Sequence, residues 1–207
     1  MLTIGLTGGI ASGKSVVARM LQQMGCAIIE ADLVAHDLLK PAHPVSHDIV
    51  NEFGAGILDE SGEIDRRKLG AIVFADAEKL SRLNALTHLH VLREIGNRLA
   101  GLAQNGTEIA VVVAALHVET GFYKTFDRLA VAWCTRDQQL ARLMGRGCTR
   151  EDAERRISSQ LPLDEKRRLA DDLIDCSQTI EHTEKQVRDL FARWKERARL
   201  RRACLKS

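Results

Sequence analysis

Several residue patterns that define protein classes are missing from this 207-residue chain. Its five cysteines include no Cys-x-x-Cys pair, so neither a structural zinc site nor a redox dithiol is predicted. No stretch approaches the roughly 18 consecutive apolar residues of a membrane helix, and the first residues lack the basic and then apolar layout of a secretory signal. We therefore expect reduced thiols, no membrane partner and a cytoplasmic location.

An excess of one charge sign is also missing over most of the chain. There are 30 Lys and Arg residues against 28 Asp and Glu residues, which gives a net charge of +2. Residues 193–207 are the exception, with seven basic side chains against one acidic side chain. Trp194 is the one aromatic residue in this stretch, so a solvated helix end is favoured over a nucleic-acid surface. We expect no nucleic-acid partner.

The chain does contain a glycine-rich loop near its amino terminus. Gly8–Ser15 matches the pattern G-x-x-x-x-G-K-[ST] at every defined position. An apolar strand is predicted before the loop at 2–6, and a helix with apolar periodicity after it at 16–24. A strand, loop and helix in this order are typical of phosphate-binding loops, which disfavours the alternative of a glycine-rich turn beside an ordinary surface lysine.

The residue types in this loop predict how it holds a nucleotide. Gly8, Gly9 and Gly13 allow backbone N–H groups to turn inward around an anion at the start of a helix. Lys14 is predicted to reach the β- and γ-phosphates, and the Ser15 hydroxyl is predicted to bind the Mg²⁺ ion that bridges them. The sequence therefore predicts nucleotide binding.

Strand and helix patterns alternate along the rest of the chain and predict an α/β fold. Further strands are predicted at 26–29, 109–115, 127–134 and 173–174, and helices at 45–53, 65–74, 78–102, 135–146 and 180–202. The strand at 109–115 does not end in Asp, and there is no Asn-Lys-x-Asp segment, which disfavours a motor ATPase or a GTPase switch.

The same pattern predicts one domain with two inserted parts. Residues 40–103 are predicted to form a helical insertion, and the charge-rich residues 147–168 a mobile helical lid. The nucleotide-binding core of this single domain, 1–207, then comprises residues 1–39, 104–146 and 169–207.

Charged residues outside the loop have two interpretations each. Asp32 follows the second strand, where ligands bind in open α/β sheets, but it equally suits the N-cap of a helix beginning near Leu33. Arg142 and Arg146 are spaced i, i+4, which suits stabilisation of a transferring phosphoryl group and also a solvated charged helix. The adjacent Arg66 and Arg67 suit an anionic substrate or a solvated helix start.

The layout resembles the dephospho-coenzyme A kinase family over nearly the whole chain. The resemblance rests on the loop and on segments in a fixed order and spacing: 31–32 (AD), 65–70 (DRRKLG), 83–88 (LNALTH), 139–146 (QLARLMGR), 149–151 (TRE), Gln160 and 170–175 (ADDLID). It implies a three-layer P-loop kinase fold with a five-stranded parallel sheet, a helical substrate-binding insertion and a helical lid.

The resemblance also implies a reaction and the residues that perform it. Members use ATP and Mg²⁺ to phosphorylate the 3′-hydroxyl of the ribose of dephospho-coenzyme A, the final step of coenzyme A synthesis. Asp32 would accept or orient the attacking hydroxyl, Arg142 and Arg146 would stabilise the γ-phosphoryl group, and Thr7 would lie in the active site. The implied nucleotide-binding residues are Gly8, Gly9, Ala11, Ser12, Gly13, Lys14, Ser15, Val16 and Asp175, with Ser15 as the metal ligand. The implied acceptor-binding residues are Asp32, Arg66, Arg67, Phe74, His88 and Glu119.

Some positions depart from the family pattern and keep alternatives open. Ala11 and Val16 replace Gly and Thr, for which we expect little effect. Other departures lie near the expected acceptor pocket and adenine edge, at Leu89, residues 115–118 and residues 176–177. His117, in the second of these segments, is predicted to be a histidine whose hydrogen bonds are satisfied near a strand end. The alternatives are a P-loop kinase of another small anionic hydroxyl acceptor and a catalytically inactive ATP-binding regulator. The oligomeric state is left open.

Overall fold

The computed structural model describes residues 1–41, 43–73 and 75–204. The chain divides into two compact units, one formed by Met1–Ile29 with Gly101–Ser207 and the other by Glu30–Ala100. In chain order the strands and longer helices are β1 Leu2–Gly8, α1 Lys14–Gln23, β2 Ala27–Glu30, α2 Ala31–Asp37, α3 Pro44–Phe53, α4 Arg66–Val73, α5 Ala77–Gln104, β3 Ile109–Val113, β4 Arg128–Trp133, α6 Arg136–Met144, α7 Arg150–Ser158, α8 Leu163–Leu169, β5 Asp172–Asp175 and α9 Ile180–Cys204.

The five strands form one sheet in the order β2-β3-β1-β4-β5. β1 is paired in parallel with β3 through Leu2↔Ile109 and with β4 through Ile4↔Arg128. β4 is in turn paired in parallel with β5. Parallel neighbours require crossover connections, usually helices that cover both faces. The predicted five-stranded parallel sheet is confirmed.

The core of the first unit forms where α1 and α9 pack against the central strands. Val17 and Leu21 of α1 and Val187 and Leu190 of α9 are buried together with apolar residues of β1 and β3. Trp194 is almost fully buried, and its indole N–H donates to the Asp172 carboxylate at 3.0 Å. A buried indole N–H needs such a partner, so this bond fixes α9 against the start of β5.

The basic end of α9 is paired with acidic groups of the first unit. Arg201 forms an ion pair with Asp127, and Arg202 lies 3.6 Å from the Glu108 carboxylate. The helix reaches Cys204, two residues beyond its predicted end. Part of the basic excess is therefore neutralised within the protein.

The second unit is helical and has a core of its own. Val45 and Ile49 of α3 and Leu69 and Val73 of α4 are buried together with Ile57. Ion pairs at its surface include Arg82 with Glu52 at 2.9 Å and Arg98 with Asp37 at 3.1 Å. Most of the residues 40–103 that the sequence predicts as a helical insertion belong to this unit, which begins at Glu30.

Most predicted elements occur within two residues of their expected bounds, and the differences have local causes. β3 ends at Val113 rather than residue 115; the N–H of Ala114 still donates to the Leu6 carbonyl at 3.1 Å before the chain leaves the sheet. α1 begins at Lys14 rather than residue 16, because Gly13 occupies the N-cap position. Among the described residues, no helix is both long and apolar enough to cross a membrane.

Candidate active site

The glycine-rich loop connects the end of β1 to the start of α1. Gly13 has φ 110° at the N-cap of α1, and Ala11 has φ 58°, a left-handed conformation that is uncommon for a residue with a side chain. A Cβ atom on Gly8 would lie 2.3 Å from the Ala132 carbonyl oxygen, and one on Gly13 would lie 2.9 Å from the Cys176 sulfur. The backbone therefore follows a path that only glycine permits at these two positions.

This loop and the start of α1 carry three polar side chains, those of Ser12, Lys14 and Ser15. The Lys14 ammonium group donates to the carbonyl oxygens of Gly8 at 3.1 Å and Gly9 at 3.0 Å. The Ser12 hydroxyl is buried and has no hydrogen-bond partner in the part of the chain that the structure describes. Ser15 is exposed near the amino terminus of α1. A helix amino terminus, a lysine and an available hydroxyl are the groups that bind phosphate.

Arg142 and Arg146 both reach the loop. The Arg142 guanidinium donates to the Ala11 carbonyl at 3.1 Å and to the Cys176 carbonyl at 2.6 Å. Arg146 lies two residues beyond Met144, the last residue of α6, and lines a small pocket with residues 11–16. The helix ends there because Gly147 adopts φ 87°, with N–H groups of residues 147 and 148 bonded back to the last turn.

The loop is also held by two glutamines. The Gln139 side-chain amide donates to the Ile10 carbonyl at 2.6 Å, and the Gln160 side-chain oxygen accepts from the Ile10 N–H at 2.8 Å. Neither glutamine has a role among the sequence predictions, although both lie in segments that carry the resemblance. No local pattern identifies such a contact, because Gln160 and Ile10 are 150 positions apart.

A buried lysine joins the segment after β3 to α8. Lys166 is fully buried, and its ammonium group donates to the Ala115 carbonyl at 2.7 Å and pairs with Glu119 at 2.6 Å. The buried Thr7 hydroxyl donates to the same Ala115 carbonyl at 3.1 Å. Glu119 also accepts from the Leu161 N–H at 3.1 Å. The predicted site residues Thr7 and Glu119 therefore share one polar network with Lys166, which sequence reasoning missed.

His117 lies beside this network. Its ring is 1% exposed, and Nε2 lies 2.8 Å from the Val112 carbonyl oxygen, so Nε2 donates and Nδ1 is unprotonated in the neutral ring. Burial lowers the pKa of His117 to about 4. The prediction of a satisfied histidine near a strand end is confirmed.

The residues predicted at the adenine edge follow β5. The Asp175 carboxylate accepts from the Ser177 N–H at 2.8 Å, and the Gln138 side-chain amide donates to the Ser177 carbonyl at 2.6 Å. Cys176 is 5% exposed and lies against Gly13, and burial raises the pKa of its thiol to about 11. Cys176 therefore packs against the phosphate loop at Gly13.

Four of the predicted acceptor-side residues are described in the second unit. Asp32 is exposed in the first turn of α2. Its alternative as an N-cap is wrong, because the helix begins at Ala31 and Glu30 occupies the cap position. Arg66 and Arg67 are exposed at the start of α4, and His88 is half-buried on α5.

The remaining predictions at this site concern Phe74 and a metal. Phe74 lies outside the described residues. The described residues contain no group of three or more His, Cys, Asp or Glu side chains that is suited to a metal ion. A metal bound mainly by side chains is therefore not supported there, whereas Mg²⁺ bound chiefly by substrate phosphates needs no such group.

The sheet order and the loop after β1 define a P-loop kinase fold. The solved structure of a shikimate kinase from Acinetobacter baumannii has this fold, with a TM-score of 0.54 and 16% sequence identity over 92% of this chain and 91% of that one. Residues 2–182 match the family model described as "CoaE: Dephospho-CoA kinase". The chain belongs to the dephospho-CoA kinase family.

Relatives in this family are similar along most of their length. The dephospho-CoA kinase of Carboxydothermus hydrogenoformans is 46% identical over 93% of this chain and 94% of its own, and that of Aquifex aeolicus is 42% identical over 92% and 96%. The structure of the dephospho-CoA kinase from Campylobacter jejuni has a TM-score of 0.72 and 26% identity, and covers 94% of this chain and 97% of its own.

Proposed function

We propose that this protein transfers the γ-phosphoryl group of ATP to the 3′-hydroxyl of the ribose of dephospho-coenzyme A, giving coenzyme A and ADP. The observation that carries the proposal is the complete phosphate loop with two arginines at its edge, in a chain that matches the dephospho-CoA kinase family over residues 2–182. Relatives of that name align over more than nine-tenths of their length.

The loop fits the triphosphate of ATP. Glycines at positions 8 and 13 leave room where a Cβ atom would collide with neighbouring atoms, and the amino terminus of α1 offers backbone N–H groups to an anion. Lys14 would move from the carbonyl oxygens of Gly8 and Gly9 to the β- and γ-phosphates. In this role it neutralises charge that develops on the transferring group.

Mg²⁺ fits the same place through oxygen ligands. The exposed Ser15 hydroxyl would hold the ion together with phosphate oxygens and water. When bound, the ion would supply positive charge that neutralises the transferring phosphoryl group. Ser15 would orient the ion, and no acidic cluster is required of the protein.

The different contacts of Arg142 and Arg146 suggest different roles for the two residues. Arg146 lines the pocket of residues 11–16 and would reach the γ-phosphoryl group directly. Arg142 bonds the carbonyls of Ala11 and Cys176, so it would hold the loop in place and add positive charge beside it. Phosphoryl transfer through a loose transition state depends mainly on such positioning and charge neutralisation.

Asp32 would orient or deprotonate the attacking hydroxyl. This role rests on its position just after β2, on its exposure in the first turn of α2 and on the resemblance to the family. The anionic acceptor would be bound by Arg66, Arg67 and His88. Phe74, which is not among the described residues, would also contribute to this site. Glu119, which is paired with Lys166, would fix the segment after β3 on the acceptor side.

The roles of Lys14 and Asp32 are tested by variants with matched controls. Lys14→Ala and Asp32→Asn are each expected to lower kcat by about a hundredfold or more, as the loss of one preorganised charged group does, with an unchanged circular dichroism spectrum. Lys185→Ala and Asp48→Asn alter exposed residues of the same types and should retain full activity. Full activity in either site variant would refute the proposed mechanism.

A further inference from the structure

The peptide groups of Ile10 are fixed from two sides. Its N–H donates to the Gln160 side-chain oxygen at 2.8 Å, and its carbonyl accepts from the Gln139 amide at 2.6 Å. Gln139 is buried within α6, whereas Gln160 follows the end of α7. Two segments distant in the chain therefore determine the orientation of the same residue of the phosphate loop.

Gln160 begins a segment that is bonded into the first unit at further points. The next N–H, that of Leu161, donates to Glu119 at 3.1 Å. Lys166, in α8, donates to the Ala115 carbonyl at 2.7 Å and pairs with the same Glu119. Residues 160–166, which fall inside the predicted lid, are therefore attached to both the phosphate loop and the segment after β3.

The attachment at Ile10 bears on the backbone conformation of the next residue, Ala11. Ala11 has φ 58°, a left-handed conformation that is unfavourable for residues with a Cβ atom. Such a conformation persists only when the surroundings determine it. Here Gln139 and Gln160 hold the preceding residue, and Arg142 holds the carbonyl of Ala11 itself at 3.1 Å.

We propose that Gln160 is a positioning residue for phosphoryl transfer. Its side-chain oxygen holds the Ile10 N–H and thereby keeps the loop in the conformation that binds phosphates. This inference deepens the proposed function and rests on it for the reaction, but it makes a separate claim about ATP affinity.

The first test is the affinity for ATP with Mg²⁺, measured by calorimetry without an acceptor. Gln160→Met keeps the length of the side chain and removes the acceptor oxygen, which leaves the Ile10 N–H unbonded. Because one such bond changes a binding constant by about tenfold, the variant should bind ATP about tenfold more weakly. Gln104→Met, at an exposed position of α5, is the matched control and should bind like the wild-type protein.

A second variant separates positioning from general stability. Glycine adopts the left-handed conformation without strain, so Ala11→Gly should make the loop less dependent on Gln160. In the Ala11→Gly background, Gln160→Met should weaken ATP binding by about threefold or less, a non-additive result that reveals coupling. A residue that only stabilises the fold would lower the urea midpoint and leave the dissociation constant for ATP unchanged in both backgrounds.

The outcomes distinguish this inference from the proposed reaction. Weaker ATP binding by Gln160→Met, with an unchanged KM for the acceptor, supports the positioning role whatever the acceptor is. Unchanged ATP affinity, or an equal loss in the presence and absence of Ala11→Gly, overturns it. Failure of dephospho-coenzyme A to react would overturn the proposed function and leave the calorimetric result standing.

Discussion

His117 is expected to make the stability of this protein depend on pH between 7 and 5. Burial lowers the pKa of its ring to about 4 in the folded state, whereas an unfolded histidine titrates near pH 6.5. Below pH 6.5 the unfolded state therefore binds a proton that the folded state does not. The stabilising contribution is complete above pH 6.5 and is lost as the pH falls towards 4.

The size of the effect follows from the two pKa values. At pH 5 the histidine is mostly protonated in the unfolded state and mostly neutral in the folded state. This pH lies about 1.5 units below the pKa of the unfolded histidine. At about 1.36 kcal/mol per unit, this lowers the free energy of unfolding by about 2 kcal/mol relative to pH 7. The bond to the Val112 carbonyl opposes the effect of burial in part, and the folded-state pKa of about 4 already includes it.

Urea unfolding at pH 7, 6 and 5 measures this effect. His117→Gln should be less stable than wild type at pH 7, because the ring packs against Phe122 and Phe126, but it should lack about 2 kcal/mol of the pH dependence. His182→Gln, at an exposed position of α9, should keep the wild-type dependence. If His117→Gln shows the same change with pH as wild type, the assignment of this titration to His117 is wrong.

Two further substitutions test the loop and the buried lysine. Gly8→Ala should reduce ATP affinity at least tenfold in a filter-binding assay, because its Cβ would lie 2.3 Å from the Ala132 carbonyl; Gly96→Ala, at an open helical position, should bind normally and gain about 0.5–1 kcal/mol of stability. Lys166→Met should lower the free energy of unfolding in urea by about 2–4 kcal/mol, since it leaves Glu119 without its partner and removes a bond to the Ala115 carbonyl. The double variant Lys166→Met/Glu119→Gln should regain part of the lost free energy of unfolding. If the losses of the two single variants simply add in the double variant, the pairing of Lys166 with Glu119 is contradicted.

The phosphate loop and the central strands could be predicted from the sequence because their causes are local. The loop pattern in Gly8–Ser15 is specified by glycines that the backbone path requires. The apolar run at 109–115 indicates a strand buried on both faces, and four of the five residues of β3 are buried. The helix after β2 begins at Ala31, two residues before the start that the sequence predicts, because helix ends fray and are weakly specified.

The supporting contacts of the site could not be predicted from the sequence. Lys166 lies in a charge-rich segment that suggests a solvated helix, yet it is fully buried because its partner carbonyl at Ala115, 51 positions away, lies within reach after folding. The contacts of Arg142 with the carbonyls of Ala11 and Cys176 depend on how α6 and the end of β5 approach the loop.

This protein is proposed to be a kinase for dephospho-coenzyme A. The most direct measurement is a coupled ADP-release assay with the wild-type protein, ATP and Mg²⁺, in which dephospho-coenzyme A is compared with AMP, adenosine and pantetheine phosphate. ADP release that depends on dephospho-coenzyme A, with a product of the mass of coenzyme A, is the predicted result. ADP release with another acceptor and none with dephospho-coenzyme A, or tight ATP binding without turnover of any acceptor, would contradict it.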